Sequence, residues 1–212
     1  LARDGYFYVN AKTTTVNGKT YVTDQMYVEE RVPARRTHSY PIVMVHGGTM
    51  SGVNFTGTPD GREGWAQYFL RRGHAVYVVD QVARGRSAHF SQSQGPVAQG
   101  NLNRTEQRFV APERFNLWPQ AAKHTQWPGD GPGKGQRGDP VFDQFYASQV
   151  QYIGVNATVE TLNREAGAAL LDKIGPAIVM THSQTGAIGW VIADARPKGM
   201  TIAVHVCRGN YK

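Results

Sequence analysis

The stretch Ala177-Ile178-Val179-Met180-Thr181-His182-Ser183-Gln184-Thr185-Gly186 runs from an apolar segment through a serine and straight into residues with helical spacing. Four successive apolar residues, 177 to 180, suit a strand buried on both faces. Gly186 to Ala195 suits a helix, stopped by Pro197. A serine on so sharp a strand-to-helix turn projects its hydroxyl above the end of the strand. The helix N-terminus beneath it favours the negative charge of an acyl-transfer transition state. Ser183 is therefore the candidate nucleophile. Such elbows usually read Gly-x-Ser-x-Gly, whereas here Thr181 and Thr185 hold the glycine positions and Gly186 comes one place later. The competing reading of a serine at this junction is a helix N-cap.

Upstream, Pro41-Ile42-Val43-Met44-Val45 is a second continuous apolar run, followed at once by His46-Gly47-Gly48. Bare backbone amides after a central strand can point at a developing oxyanion. The two expected donors are the amides of Gly48 and of Gln184, the residue after the nucleophile. The alternative is that the glycines serve only a tight turn. Trp65, Phe69 and Leu70 lie at helical spacing within Gly64 to Arg72, which ends at Gly73. Ala75 to Val79 then repeats the buried-strand signature before Asp80.

Val155, Val159, Leu162, Ala166, Ala169 and Leu170 share one helical face that closes at Gly175-Pro176, with Asn156 or Thr158 as the expected cap. Thr201 to Val206 reads as a further strand. Two alternating runs, Tyr6 to Thr15 and Lys19 to Val28, flank Asn17-Gly18, a pair that supplies positive φ to a tight hairpin. Alternating strand and helix imply an α/β fold with a mostly parallel sheet between helices. From about residue 88 to 152 the rhythm fails. That segment is rich in Gly and Pro at 127–133, yet carries Phe109, Phe115, Trp118, Trp127, Phe142, Phe145 and Tyr146. It is read as a cap over the active edge of one domain spanning 1–212, its rings either lining an apolar pocket or anchoring the excursion.

The elbow Thr181 to Gly186, the His46-Gly47-Gly48 loop, their order along the chain and the segment Ala111-Pro112-Glu113-Arg114-Phe115-Asn116-Leu117-Trp118-Pro119-Gln120 resemble the α/β-hydrolase superfamily, in particular a serine carboxylesterase-like group whose elbow begins with Thr. The similarity runs roughly from Val28 to Pro197. It implies hydrolysis of small-molecule carboxylic esters through an acyl-enzyme, with Ser183 as nucleophile and Gly48 and Gln184 holding the oxyanion. No cofactor is implied.

In that superfamily the acid and the histidine follow the nucleophile. Here only Asp194 and His205 do so, one inside the helix leaving the elbow and the other inside the expected strand. His182 is expected to pack beneath the elbow, because neighbouring strand residues face opposite ways. The reading adopted is a chain lacking the C-terminal part of the sheet. Its alternative function is an inactive, truncated hydrolase or pseudoenzyme.

The 212 residues carry 40% hydrophobic and 18% charged side chains, as a folded domain requires. One cysteine, Cys207, precludes an internal disulfide, and no His or Cys spacing suggests a metal. The net charge of +7 is spread over short groups (Arg35-Arg36, Arg71-Arg72, Arg84 and Arg86, Lys134 and Arg137), read as solvated surface and not as a nucleic-acid site. No apolar run approaches the roughly 20 residues of a membrane span. A start at Leu1 and sequons at Asn54, Asn103 and Asn156 fit a secreted or extracytoplasmic protein with its leader removed. Oligomeric state has no signature in the sequence.

Overall fold

The structure is a computed structural model and describes residues 1–196. The expected strand Thr201 to Val206, His205 and Cys207 lie outside the described residues.

Strands β1 (Arg3–Val9), β2 (Lys12–Val16), β3 (Lys19–Thr23) and β4 (Met26–Val32) open the chain. The Asn17-Gly18 turn is present, with φ of 50° and 74°, and Val16 pairs with Lys19 across it. The expected single hairpin, however, is broken in two. Asn10 and Asp24 both take positive φ (56° and 61°), and the Asn10 side chain donates to the Asp24 carbonyl at 3.2 Å. Below this double kink the two arms leave the β2–β3 ribbon and pair as β1 with β4. They extend past the boundary expected at Val28, because Glu29, Glu30 and Arg31 find ionic partners on the sheet surface.

The central strands are β5 (Ile42–Val45) and β6 (Val76–Asp80), with helices α1 (Val53–Thr56) and α2 (Trp65–Arg71) between them. The 88–152 region holds α3 (Ser91–Gln94), β7 (Val97–Ala98), α4 (Leu102–Thr105), a π turn, two 3-10 turns and α5 (Pro140–Ala147). It ends at β8 (Tyr152–Ile153), which pairs with β7. Trp127 meets Phe142 and Phe145 edge to face and Phe142 stacks on Tyr146, with centroids 5.6 to 6.5 Å apart, so these four rings form the segment's own small core. Helix α6 (Asn156–Ile174), strand β9 (Ile178–Thr181) and helix α7 (Thr185–Ala195) follow.

The main sheet runs β1-β4-β6-β5-β9. Strands β6, β5 and β9 are parallel, while β4 and β1 are antiparallel to them. The sheet is therefore mixed, not mostly parallel, because the opening hairpin arms join it. Among the described residues β9 is an edge strand, half exposed at Ile178. The expectation of burial on both faces fails there and holds for β5 and β6. Alternation divides the core between two faces. Val43, Val45, Tyr77 and Val79 meet Val159, Ala166 and Leu170 of α6 and Ile188 and Ile192 of α7. Ile42, Met44, Val76 and Val78 meet Phe55 and Ala66 of α1 and α2. Val155, expected on the buried stripe of α6, is exposed. It also holds the cap position, where its apolar side chain can make no cap bond; neither Asn156 nor Thr158 caps the helix as expected, and the Asn156 Oδ1 accepts from Gln184 Nε2 instead.

At the end of β6 the fully buried Asp80 carboxylate accepts from the Gly52 amide at 2.6 Å and from the Arg86 backbone and Nε, both at 2.8 Å. Burial alone pushes this carboxyl up, but the Arg86 and Gly52 hydrogen bonds outweigh it and hold the pKa below the ordinary range. Asp80→Ala strands four donors, two backbone amides and two guanidinium nitrogens, and is expected to cost roughly 3 kcal/mol, read as a lowered urea midpoint. An unchanged midpoint would show that the carboxylate does not organise these loops.

Candidate functional site

Because β5, β6 and β9 are parallel, the loops after Val45, Asp80 and Thr181 leave the same edge of the sheet. His46 is completely buried and sets the floor of that edge. The Gln81 amide donates to its Nε2 at 3.0 Å, so the ring hydrogen resides on Nδ1, which faces the Gly47 carbonyl at 3.0 Å. Burial drives its pKa down to about 4, and both nitrogens are occupied. His46 is thus a neutral structural pillar and no base.

The Gly47 carbonyl also accepts from Arg84 Nη1 at 3.2 Å, and the Gln81 side-chain amide lies at 3.5 Å. The 47–48 peptide is planar and trans, so a carbonyl held inward turns the Gly48 N–H outward. Among the described residues, neither the Gly48 nor the Gln184 amide donates to a protein acceptor. Gly47 is closely approached by the elbow. A Cβ there would lie 3.0 Å from both the Ser183 Cβ and the His182 Nδ1.

Ser183 stands between β9 and α7 with φ of 59°, a left-handed conformation costing about 1 kcal/mol or more for a residue with a side chain. It is exposed, and no protein group hydrogen-bonds its hydroxyl among the described residues. The N-cap reading is overturned: the cap position of α7 is Gln184, without a cap bond. What holds the bend is Thr185. Its buried hydroxyl accepts from the His182 amide at 2.8 Å and lies 3.1 Å from the Val45 carbonyl, tying the elbow to β5. At the other threonine, close approach of strand and helix is provided from the helix side. Gly189 lies so near Thr181 that a Cβ on it would sit 3.0 Å from the threonine methyl.

Gln184 reaches across the elbow. Its Oε1 accepts from Arg84 Nη2 at 2.8 Å, and its Nε2 donates to Asn156 Oδ1 at 3.0 Å. Arg84, read from sequence as solvated surface, is only 2% exposed. Nothing in the run Asp80 to Ser87 marks it from sequence, since a loop arginine is ordinarily solvated. Arg86 is likewise paired, with Asp80 and Glu29. Arg35, Arg36, Arg71, Arg72 and Arg137 are exposed as expected.

His182 is exposed rather than packed beneath the elbow, because β9 ends at Thr181 and strand alternation does not extend to it. Partial desolvation lowers its pKa. Asp194 points to solvent and faces Arg164 at 3.5 Å. Thr49, with φ of 59°, joins the Gly47-Gly48 loop to the end of the 88–152 segment. Its hydroxyl donates to Gln149 at 2.5 Å, and its carbonyl accepts from the Val150 amide at 2.7 Å. Among the described residues no three His, Cys, Asp or Glu side chains converge as a metal set, and no helix is long and apolar enough to cross a membrane.

No family model matches the chain. Probable secreted lipase phiG of Fungal sp. (strain ATCC 74256) is 47% identical to it over 192 residues, which are 91% of this chain and 49% of that protein. The chain thus spans about half the length of the curated relative it matches. Among solved structures, one described as the atomic resolution structure of a novel bacterial esterase superposes with a TM-score of 0.71 at 27% identity, over 95% of this chain and 66% of the other.

The buried His46 makes stability depend on pH. Folded, it takes a proton only near pH 4; unfolded, it takes one near 6.5. Between those values the unfolded chain binds more protons, so stability falls as pH falls through that window, by at most on the order of 3 kcal/mol from this group. Thermal melts from pH 7 to 4 should show the loss, and His46→Gln should flatten the slope. An equal slope in the variant would assign the acid sensitivity elsewhere.

Proposed function

We propose that the chain carries the nucleophile half of a serine carboxylic-ester hydrolase site. The observation that carries this reading is the Ser183 hydroxyl on a left-handed bend atop β9, without a partner among the described residues, beside a Gly47-Gly48 loop whose outward amide has no acceptor among them. A non-glycine residue persists in that conformation only where surrounding contacts over-determine it, and here Thr185 and Gly47 do so. In this reading Ser183 Oγ attacks the ester carbonyl and the Gly48 and Gln184 amides hold the oxyanion. The alcohol leaves, and water releases the acid from the acyl-enzyme. The names of the two similar proteins, a lipase and an esterase, support an ester as substrate, and the word secreted in the former supports an extracytoplasmic place. No cofactor enters the reaction.

Residues 88 to 152 are assigned as a cap over the carboxyl edge. The β7–β8 pairing at their base and the Thr49 bonds to Gln149 and Val150 support this. A second reading, a hydrolase-like chain that binds but does not turn over, is favoured by Asp194. Its carboxylate is turned to solvent and faces Arg164 at 3.5 Å.

A fluorophosphonate probe is expected to add to Ser183, located by peptide mass, and Ser183→Ala should abolish labelling. Turnover of p-nitrophenyl butyrate should fall by about a thousandfold or more in Ser183→Ala. Labelling without turnover is what the second reading expects. Absence of both sinks the nucleophile assignment.

A further inference from the structure

Arg84 is an unusual group to find at 2% exposure. Burial pulls its pKa down to about 10, and no carboxylate offsets this among the described residues. The neighbours of its guanidinium are the Gly47 carbonyl, the Gln184 Oε1 and, at 5.5 Å, the Tyr152 ring. A buried cation without a counter-ion costs stability, so its retention calls for an account that a neutral side chain would not equally satisfy.

The geometry of its two arms supplies one. Nη1 draws the Gly47 carbonyl inward at 3.2 Å, which turns the Gly48 N–H outward across a rigid peptide plane. Nη2 holds the Gln184 side chain at 2.8 Å, so that Gln184 packs over Gly48, whose hypothetical Cβ would lie 3.3 Å from Oε1. The planar fork of arginine spans both partners at once, which the single ammonium of lysine does not. The loop that carries Arg84 is itself fixed: Ala83 is buried with φ of 63°, and Gly85 is pressed against the Asp80 carboxylate. The two donors come from loops 136 residues apart in sequence, and Arg84 bonds to both loops, at the Gly47 carbonyl and the Gln184 side chain.

We infer that Arg84 is the positioning residue of the oxyanion site, clamping the Gly48 and Gln184 amides into one concave pair and placing a buried positive charge behind them. The inference rests on the serine-hydrolase reading. It adds that the positive charge meets its counter-charge only when the reacting carbonyl oxygen becomes negative, so Arg84 favours the tetrahedral species over the neutral ester.

The test uses the full chain with hexyl trifluoromethyl ketone, whose carbonyl carbon bonds to Ser183 Oγ as a hemiketal, followed by fluorine NMR across pH. Loss of folded protein lowers the amount of adduct but leaves its ionisation in place, whereas loss of the clamp moves the ionisation. In Arg84→Met the hemiketal is expected to ionise about one to two pH units higher, and fluorophosphonate labelling to slow roughly ten- to a hundredfold. Arg84→Lys, which keeps the charge without the fork, should fall between the two. An ionisation unchanged in a folded Met variant overturns the inference and leaves the nucleophile assignment standing. If the Met variant does not fold, a Lys variant identical to the parent overturns it equally. A parent chain that forms no adduct and takes no label removes the nucleophile, and the clamp with it.

Discussion

Two strands, β5 and β6, are buried on both faces and end side by side, so the loops that follow them must satisfy each other's polar groups without water. That constraint organises the whole edge. Asp80 takes the Gly52 amide, and the Gln81 amide takes the His46 ring. The Gly47 carbonyl takes His46 and Arg84. Dry, crossed bonding of this kind leaves few alternative backbone paths, since each unpaired group would cost on the order of 1 to 3 kcal/mol. The serine-bearing turn is then docked on this platform through Thr185 and the Val45 carbonyl.

Much of the central architecture was legible because burial on both faces leaves a plain signature. The runs 42–45 and 76–80 admit hardly another reading, and Asn17-Gly18 fixes its turn. What escaped was set by partners distant in sequence. Glu29 to Arg31 look like a surface break until Arg86 and Arg3 are placed opposite them, so the antiparallel half of the sheet stayed hidden. Asn10 and Asp24 split the hairpin through backbone conformations that asparagine and aspartate tolerate but do not announce.

At the elbow, Ser183 could be picked out from the strand and helix on either side. Its competitor, the N-cap, could be discarded only once its hydroxyl was seen without a partner among the described residues. The threonines in the glycine positions were readable as a departure but not as a mechanism, because the compensating glycine, Gly189, sits one turn into the helix. Arg84 was the hardest residue to place. Charge on a loop is ordinarily solvated, and nothing local distinguishes a guanidinium that folds back over the ends of two strands.

Thr49, Ala83 and Ser183 are three side-chain-bearing residues held left-handed, each just past the end of one of three adjacent parallel strands. Torsional energy is thereby gathered on a single rim, and among the described residues the loops at the opposite rim hold no such residue. Such a molecule is mechanically lopsided. Under mild heating its serine-bearing margin should loosen ahead of the sheet beneath, and stabilising changes made on the far side should leave the poise of that margin untouched.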